Sequence, residues 1–388
     1  MTCQTRRGFL LLSSTGLVAG VAGTAAHAQG STPAALLDPY YREIEPEISL
    51  PRAPDGPALD PATVLTRFAV GSCNNQEGSQ AFWSGIRSRN PQLFLYIGDN
   101  VYGDPGWDGG ADLGSLRRAY EKLNSHPEFR EFRQAVPMHT VWDDHDFGFS
   151  DGGAVFPFKR WSEHIYETFW NSPEDVRGHE GVYHARMYGP AGRRLQIILL
   201  DTRFQRSSLV PPAEGEKLPV RGRYVPDNSD GAQMLGEVQW QWLQQELAKP
   251  ADLRIVVSSI QVLSDAHLWE GWELMPRQRE QFYATLAKRA GGGLVLLSGD
   301  RHVGGIYRKS VPGFPQGLWE MTASSLNRPN ASNEEATARE PDPDRLGMCV
   351  GDGNFGEVAI DWRKRELTLT VCRTDGVALV SHSFDWTA

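Results

Sequence analysis

The chain has 388 residues, of which 40% are hydrophobic and 22% are charged, as is typical of a globular protein with a substantial core. Its formal net charge of −9 argues against a surface that binds nucleic acid or an anionic membrane, and we expect no nucleic-acid-binding module. Beyond the N-terminal residues, no stretch is long and apolar enough to form a stable membrane span.

The N-terminal residues have the features of an export signal. Thr5-Arg6-Arg7-Gly8-Phe9-Leu10 is a twin-arginine pattern, an apolar run covers residues 11–21, and Ala26-His27-Ala28 is a cleavage site for a signal peptidase. A membrane anchor is the alternative, but polar residues and glycines interrupt the short apolar run. We therefore predict that residues 1–28 are a signal peptide for the twin-arginine export machinery and that the mature protein is periplasmic or secreted.

The predicted mature chain contains three cysteines, an odd number, and its expected compartment is oxidising. Cys349 and Cys372 could form a disulfide, but their positions in the sequence do not decide this. Cys73 follows a predicted strand, where it is either a metal ligand or a buried structural cysteine.

Residues 29–66 are rich in proline and small residues, which predicts an extended N-terminal arm that Tyr40 and Tyr41 could anchor. Strands and helices then alternate, and a meander of strands follows, which favours two sheets packed face to face between helices in one domain, residues 67–388. Helices are predicted at 79–89, 113–123, 127–134, 157–170, 235–248 and 276–290. Strands are predicted at 67–72, 93–97, 136–142, 195–200, 253–260, 294–297, 317–322, 356–361, 367–371 and 377–381.

Three predicted strands end at groups of side chains that can bind metal. Asp99 and Tyr102 follow the second strand, residues 143–146 (Asp-Asp-His-Asp) follow the third, and Asp300 and His302 follow the strand at 294–297. Each group alone could be a solvated turn. Sites in open α/β sheets form at the carboxyl ends of strands, and adjacent carboxylates repel each other unless a cation lies between them. Together the three groups predict a shared metal centre.

The residue types suggest a role for each member of these groups. Asp99 can bridge two ions, and the phenol of Tyr102 suits a Lewis-acidic trivalent ion such as ferric iron, although a tyrosine in a loop can also be a simple anchor. Asp144 could bind a second ion. His145 could face the substrate, stabilise charge or protonate a leaving oxygen. Asp146 could orient His145 or cap the following turn, and Asp143 receives no role.

Two metal ions about 3.5–4 Å apart would polarise a phosphoryl group and hold a bridging hydroxide for in-line attack. Arg203 and Arg301 could bind the phosphate oxygens, although either could be an ordinary surface arginine. These observations predict a metal-dependent phosphoesterase.

One competing motif indicates a different chemistry. Residues 148–152 match G-x-S-x-G, the nucleophile elbow of serine hydrolases, with Ser150 as the nucleophile. The elbow requires the serine at the turn directly after a strand, whereas residues 143–146 intervene here and two glycines stand where a helix should begin. We therefore interpret the match as accidental. A non-catalytic metal-binding protein on the same fold is a second alternative.

Four motifs resemble, in the same order, those of the alkaline phosphatase D (PhoD-like) family of metallophosphoesterases, and the resemblance covers the chain from Arg67 to the C-terminus. They are Gly71-Ser72-Cys73, Gly98-Asp99-Asn100-Val101-Tyr102, Trp142-Asp143-Asp144-His145-Asp146 and Ser298-Gly299-Asp300-Arg301-His302. Residues 201–203 and 269–276 are similar too. The resemblance implies a calcineurin-like, four-layer αββα sandwich of two mixed β-sheets between helices.

The resemblance also implies an activity and a metal content. Members of the family hydrolyse phosphate mono- and diesters, so small-molecule phosphate esters are the expected substrates. Members of the iron type pair Fe³⁺ with Ca²⁺, which implies a dinuclear or trinuclear centre, although other divalent ions could replace calcium. The implied residue roles are Cys73 and Tyr102 on iron, Asp99 bridging the metals, Asp144 on the second metal, Asp300 and His302 as further metal ligands, and His145 facing the substrate.

Overall fold

The computed structural model describes residues 33–387. The twin-arginine motif and the rest of the expected signal peptide lie outside the described residues, so that expectation remains a prediction. Within residues 33–387 the helices are all too short or too polar to cross a lipid bilayer.

Within the described residues, twelve strands form two six-stranded mixed sheets. The first sheet has the order β12-β11-β10-β1-β2-β3 and the second has the order β4-β5-β6-β7-β9-β8. The strands are β1 Arg67–Gly71, β2 Phe94–Ile97, β3 Met138–Val141, β4 His184–Tyr188, β5 Leu195–Leu199, β6 Leu253–Val257, β7 Gly293–Ser298, β8 Gly304–Val311, β9 Phe314–Ala323, β10 Asn354–Asp361, β11 Glu366–Arg373 and β12 Ala378–Asp385.

Helices connect the strands and cover the outer faces of the sheets. They are α1 Pro33–Leu36, α2 Asp38–Ile44, α3 Phe82–Ser88, α4 Gly114–Ser125, α5 Pro127–Ala135, α6 Asp144–Phe147, α7 Lys159–Trp170, α8 Glu174–Arg177, α9 Gly236–Ala248, α10 Pro276–Ala287 and α11 Asn333–Arg339, with 3-10 turns at Glu45–Glu47 and Trp272–Leu274.

The two sheets pack face to face, because strands of both contribute to one buried core. Along β6, the side chains of Ile255 and Val257 enter the core shared with the first sheet, whereas Val256 between them packs with the helices on the opposite face. Each such aliphatic side chain is fully buried and contributes about 1.5–3 kcal/mol through burial. The predicted four-layer αββα architecture is therefore confirmed.

The parallel strands bring the predicted metal-binding loops to one edge of the molecule. Strands β1, β2 and β3 pair in parallel in the first sheet, and β5, β6 and β7 do so in the second. A bridge between Ser72 and Ser324 links the two sheets at this edge. The loops that follow β1, β2, β3 and β7 consequently meet between the sheets.

The predicted N-terminal arm is extended only in its second half. Residues 33–47 are helical, since Pro39 lies in the first turn of α2, where its fixed φ angle favours a helix. Tyr41 anchors this segment by stacking on Trp161 with ring centroids 5.0 Å apart and by donating a hydrogen bond to the Ala111 carbonyl at 3.1 Å. Tyr40 is exposed. Residues 48–66 form neither helix nor strand, as predicted.

Candidate metal centre

Four loops place their side chains around one buried point between the sheets. Cys73 follows β1, Asp99 follows β2, Asp144 opens α6 after β3, and Asp300 follows β7. The backbone joins the loops directly, because the Cys73 amide donates to the Gly98 carbonyl at 3.2 Å. The structure therefore brings together groups that are separated by more than two hundred residues in the sequence.

The first set of donors combines a thiol, a carboxylate, an imidazole and a phenol. Ligand atoms of Cys73, Asp99 and His302 all lie within 4.8 Å of one another. The hydroxyl of Tyr102 lies 2.8 Å from Nε2 of His302, so the phenol belongs to the same set. Burial lowers the pKa of His302 to about 4, which keeps the imidazole neutral and able to bind a metal.

The second set consists of four carboxylates. Oxygen atoms of Asp99, Asp143, Asp144 and Asp300 lie within 4.8 Å of one another, and Asp99 belongs to both sets. Among the described residues, Oδ2 of Asp143 and Oδ1 of Asp144 are buried and have no hydrogen-bond partner. Buried carboxylate oxygens without a donor require a cation or a proton.

The electrostatics of the centre fit a cation. Burial and the neighbouring Cys73 raise the pKa of Asp99 well above its usual range, and burial and Asp143 do the same for Asp300. Burial and Asp300 raise the pKa of the Cys73 thiol to about 12. The centre would therefore hold protons in the absence of positive charge, and a multivalent ion would displace them. The donors fit a hard cation beside the carboxylates and a more thiophilic one beside Cys73.

Four of these side chains project from left-handed backbone conformations. The φ angles are 59° for Cys73, 47° for Asp99, 63° for Asp300 and 54° for His302. This region is sparsely populated by residues other than glycine and costs of order 1–3 kcal/mol at each position. Gly98 permits the close approach of two of the loops, because a Cβ atom there would lie 2.6 Å from Cβ of Asp143. The fold thus holds strained loops in place around the donors.

The sequence assigns no role to Asp143, whereas the structure shows that both its backbone and its side chain make hydrogen bonds that fix the loop after β3. Its Oδ1 accepts hydrogen bonds from Nε of Arg203 at 2.7 Å and from the Ser259 hydroxyl at 2.6 Å. Its amide donates to Oδ1 of Asp146 at 2.6 Å, as part of a capping box at the start of α6. Asp143 therefore fixes the loop with one oxygen and faces the other carboxylates with its second oxygen.

His145 is oriented by a residue that the sequence analysis missed. Its Nδ1 lies 2.5 Å from Oδ1 of Asp104, whereas Asp146 caps α6 and accepts from the Asn100 amide at 3.0 Å. Of the two roles predicted for Asp146, the cap is therefore correct. Asp104 lies five residues after Asp99 in the same loop, and this second carboxylate beside a metal motif was the available signal. Burial lowers the pKa of His145, but Asp144, Asp99 and Asp104 outweigh burial and raise it to about 11.

Both arginines that were predicted to bind phosphate have carboxylate partners in the structure. The guanidinium of Arg203 is fully buried and pairs with Asp143 and Glu270. Arg301 pairs with Glu340. Both guanidinium groups are therefore already paired with carboxylates, and phosphate binding by these two arginines stays a prediction.

Two further possibilities raised by the sequence are a disulfide between Cys349 and Cys372 and a nucleophilic Ser150. Cys349 and Cys372 are both free buried thiols, so they form no disulfide in this structure. Ser150 lies on an exposed turn, and among the described residues its hydroxyl has no hydrogen bond to a histidine. The geometry of a serine-hydrolase nucleophile is therefore missing at this position.

Comparisons with known proteins agree with this arrangement. The sequence profile of the PhoD-like phosphatases matches residues 68–148 and 170–371. The chain belongs to the PhoD-like phosphatase family. The matched segments contain every donor of the two sets, together with His145 and Asp104, whereas Ser150 falls in the unmatched segment 149–169.

Two solved structures resemble the chain to different degrees. A structure entitled "Structure of PhoD" superposes with a TM-score of 0.62 at 16% identity and covers 85% of this chain and 72% of that chain. The 5'-nucleotidase precursor from Thermus thermophilus gives a TM-score of 0.32 at 12% identity, covering 82% of this chain and 53% of that chain. No curated protein sequence matches the chain. At these identities the first similarity supports the metallophosphoesterase fold of the PhoD-like family.

Proposed function

We propose that the chain is an exported, metal-dependent phosphoesterase that hydrolyses phosphate mono- or diesters. The observation that carries this proposal is the position of Asp99, whose carboxylate belongs to two adjacent sets of metal donors beside His145. Membership of the PhoD-like phosphatase family supports the same activity. The twin-arginine motif at residues 5–10 supports export to the periplasm or the medium.

Two kinds of ion fit the two sets of donors. Cys73, Tyr102, His302 and Asp99 would hold Fe³⁺, since thiolate and phenolate donors suit a Lewis-acidic ion. The carboxylates of Asp99, Asp143, Asp144 and Asp300 would hold Ca²⁺, which prefers oxygen ligands. When bound, such ions supply Lewis-acid polarisation of the phosphoryl group and an acidified water.

His145 is the residue of this chain that is positioned to move a proton. Its Nδ1 is bound to Asp104, and Nε2 has no partner among the described residues. Neighbouring carboxylates raise its pKa to about 11, and with Asp104 at Nδ1 a protonated ring would present its second proton from Nε2. That proton would pass to the alcohol oxygen as the P–O bond breaks, so that the leaving group departs as a neutral alcohol.

Metal analysis combined with assays on aryl phosphate mono- and diesters tests this function. The protein is purified without added metal and its metals are quantified, and hydrolysis is measured for wild type, Asp99→Asn, His145→Ala and Ser150→Ala. We expect bound iron and calcium, hydrolysis by wild type and Ser150→Ala, and severe losses of turnover in the other two variants. Bound metal without hydrolysis of either ester would favour a non-catalytic metal-binding protein. Loss of activity in Ser150→Ala alone would favour the serine-hydrolase alternative.

A further inference from the structure

Building on the proposed phosphoesterase function, we propose that Arg328 is the residue of this chain that binds the phosphate group of the substrate. Arg328 follows β9 in an irregular segment that the sequence analysis did not identify as functional. Its position at the metal centre, its unpaired guanidinium and the charge of the surrounding groups all fit this role.

The segment that carries Arg328 is attached to the first set of donors. The Ser324 hydroxyl donates to Sγ of Cys73 at 3.0 Å, and the Ser325 hydroxyl accepts from the amide of Arg328 at 2.6 Å. The guanidinium carbon of Arg328 lies 4.0 Å from the centroid of the Tyr102 ring. A guanidinium at this distance is held against the aromatic face by a cation–π interaction, so the ring of Tyr102 fixes the direction of the fork.

The guanidinium of Arg328 has no hydrogen bond or ion pair with the described residues, although the side chain is half-buried. Other arginines near the centre have carboxylate partners: Arg203 and Arg206 pair with Glu270, Arg223 with Asp151 and Arg301 with Glu340. A planar guanidinium offers five donors in a geometry that matches the oxygens of a phosphate. The unused donors of Arg328 therefore have the chemistry to receive an anion beside Tyr102.

The charge of the centre explains why such a residue is needed. Four carboxylates, three of them buried, lie together in it, so an approaching phosphate ester meets negative protein groups wherever a bound cation does not neutralise them. A positive group beside Tyr102, whose hydroxyl contacts His302, compensates this repulsion and orients the anion. Arg203 and Arg301 are less suited to this function than Arg328, because each is already paired with a carboxylate.

Calorimetric binding of inorganic phosphate to the metal-loaded protein tests the proposal directly. Wild type is compared with Arg328→Ala, Arg328→Lys and the control Arg339→Ala, which removes the same charge from an exposed arginine paired with Glu335 on α11. We expect phosphate to bind Arg328→Ala about 10- to 100-fold more weakly, as for loss of a charge-assisted hydrogen bond. Arg328→Lys should recover part of the affinity, since it restores the charge without the fork. Equal affinity in Arg328→Ala and Arg339→Ala would overturn the proposal.

Kinetic measurements and metal content distinguish phosphate binding by Arg328 from a purely structural role. They also distinguish failure of this proposal from failure of the proposed phosphoesterase function. If Arg328 binds phosphate, KM for an aryl phosphate rises while metal content is unchanged, and guanidinium chloride, but not sodium chloride, partly restores Arg328→Ala. If Arg328 only supports Tyr102, metal content falls and phosphate affinity per bound metal stays the same, which contradicts the proposal. If wild type hydrolyses no ester, the proposed function fails, and the phosphate affinities still decide the role of Arg328.

Discussion

Nδ1 of His145 lies 2.5 Å from Oδ1 of Asp104, and this contact joins the loop after β2 to the first turn of α6. Both side chains are largely buried, so the contact is shielded from water. The pair fixes the orientation of the imidazole and leaves Nε2 for a ligand. A carboxylate at Nδ1 also stabilises the protonated ring.

We expect Asp104→Asn to reduce kcat roughly 10- to 100-fold, as is typical for loss of a group that orients a functional histidine. Asp104 is one of three carboxylates that raise the pKa of His145. Its removal lowers that pKa, and His145 then loses its proton at a lower pH. The alkaline limb of the kcat–pH profile should therefore move to lower pH. An unchanged profile together with reduced kcat would show that Asp104 acts only on structure.

Removal of metal should destabilise the protein more at pH 8 than at pH 6. The pKa values of Asp99 and Asp300 are raised in the folded state, so protons stabilise the metal-free fold at low pH and leave as the pH rises through the raised values. A metal ion at a free concentration of 100 to 1,000 times its Kd stabilises a folded protein by about 3–4 kcal/mol. Thermal unfolding of chelated and loaded protein at the two pH values measures the difference. An equal effect of chelation at both values would contradict the proposed contribution of these carboxylates.

Arg203→Ala should destabilise the fold by about 3–5 kcal/mol, because it leaves the buried Asp143 without an ion-pair partner and Glu270 with Arg206 alone. Arg223→Ala is the matched control. Arg223 pairs with Asp151 at the surface, where such a pair contributes about 0–1 kcal/mol. Urea unfolding of both variants measures the free energies. Similar values for the two variants would show that the buried network contributes little to stability.

Cys73→Ser should lower the iron content selectively. The hydroxyl of serine is a poorer ligand than a thiolate for an ion of this type, whereas the carboxylates of the second set are unaffected and should retain their ion. Elemental analysis of the purified variant checks both expectations. Retention of iron at the wild-type level would assign Cys73 to a structural role.

Much of the fold could be predicted from the sequence, because buried strands and amphipathic helices have clear periodicity. The strands at 195–199 and 354–361 are found close to their predicted bounds. The strands β4 and β8 were missed. The burial of β4 at the sheet edge is mixed, and β8 begins one residue after the Asp300–His302 loop and has no clear alternation of buried and exposed residues. Their positions depend on pairing with β5 and β9.

The convergence of the predicted metal donors could be foreseen from their positions directly after predicted strands. Each of Cys73, Asp99, Asp144 and Asp300 stands at the end of a strand or the start of a short helix, so parallel pairing within each sheet, together with the packing of the two sheets, brings them together. Arginine roles could not be predicted in this way. A long side chain reaches partners that are remote in sequence, as Arg203 reaches Glu270, and only the folded structure shows which guanidinium is already paired.

The left-handed backbone at Cys73, Asp99, Asp300 and His302 has a consequence for how this protein can be changed. Glycine is the residue that tolerates this conformation best, so replacement by glycine at these positions would relieve backbone strain while removing a donor. A protein-engineering programme that selects for thermal tolerance of the metal-free protein would be drawn towards such replacements and would lose the centre. Selection in the laboratory should therefore combine heat resistance with a direct measure of bound metal.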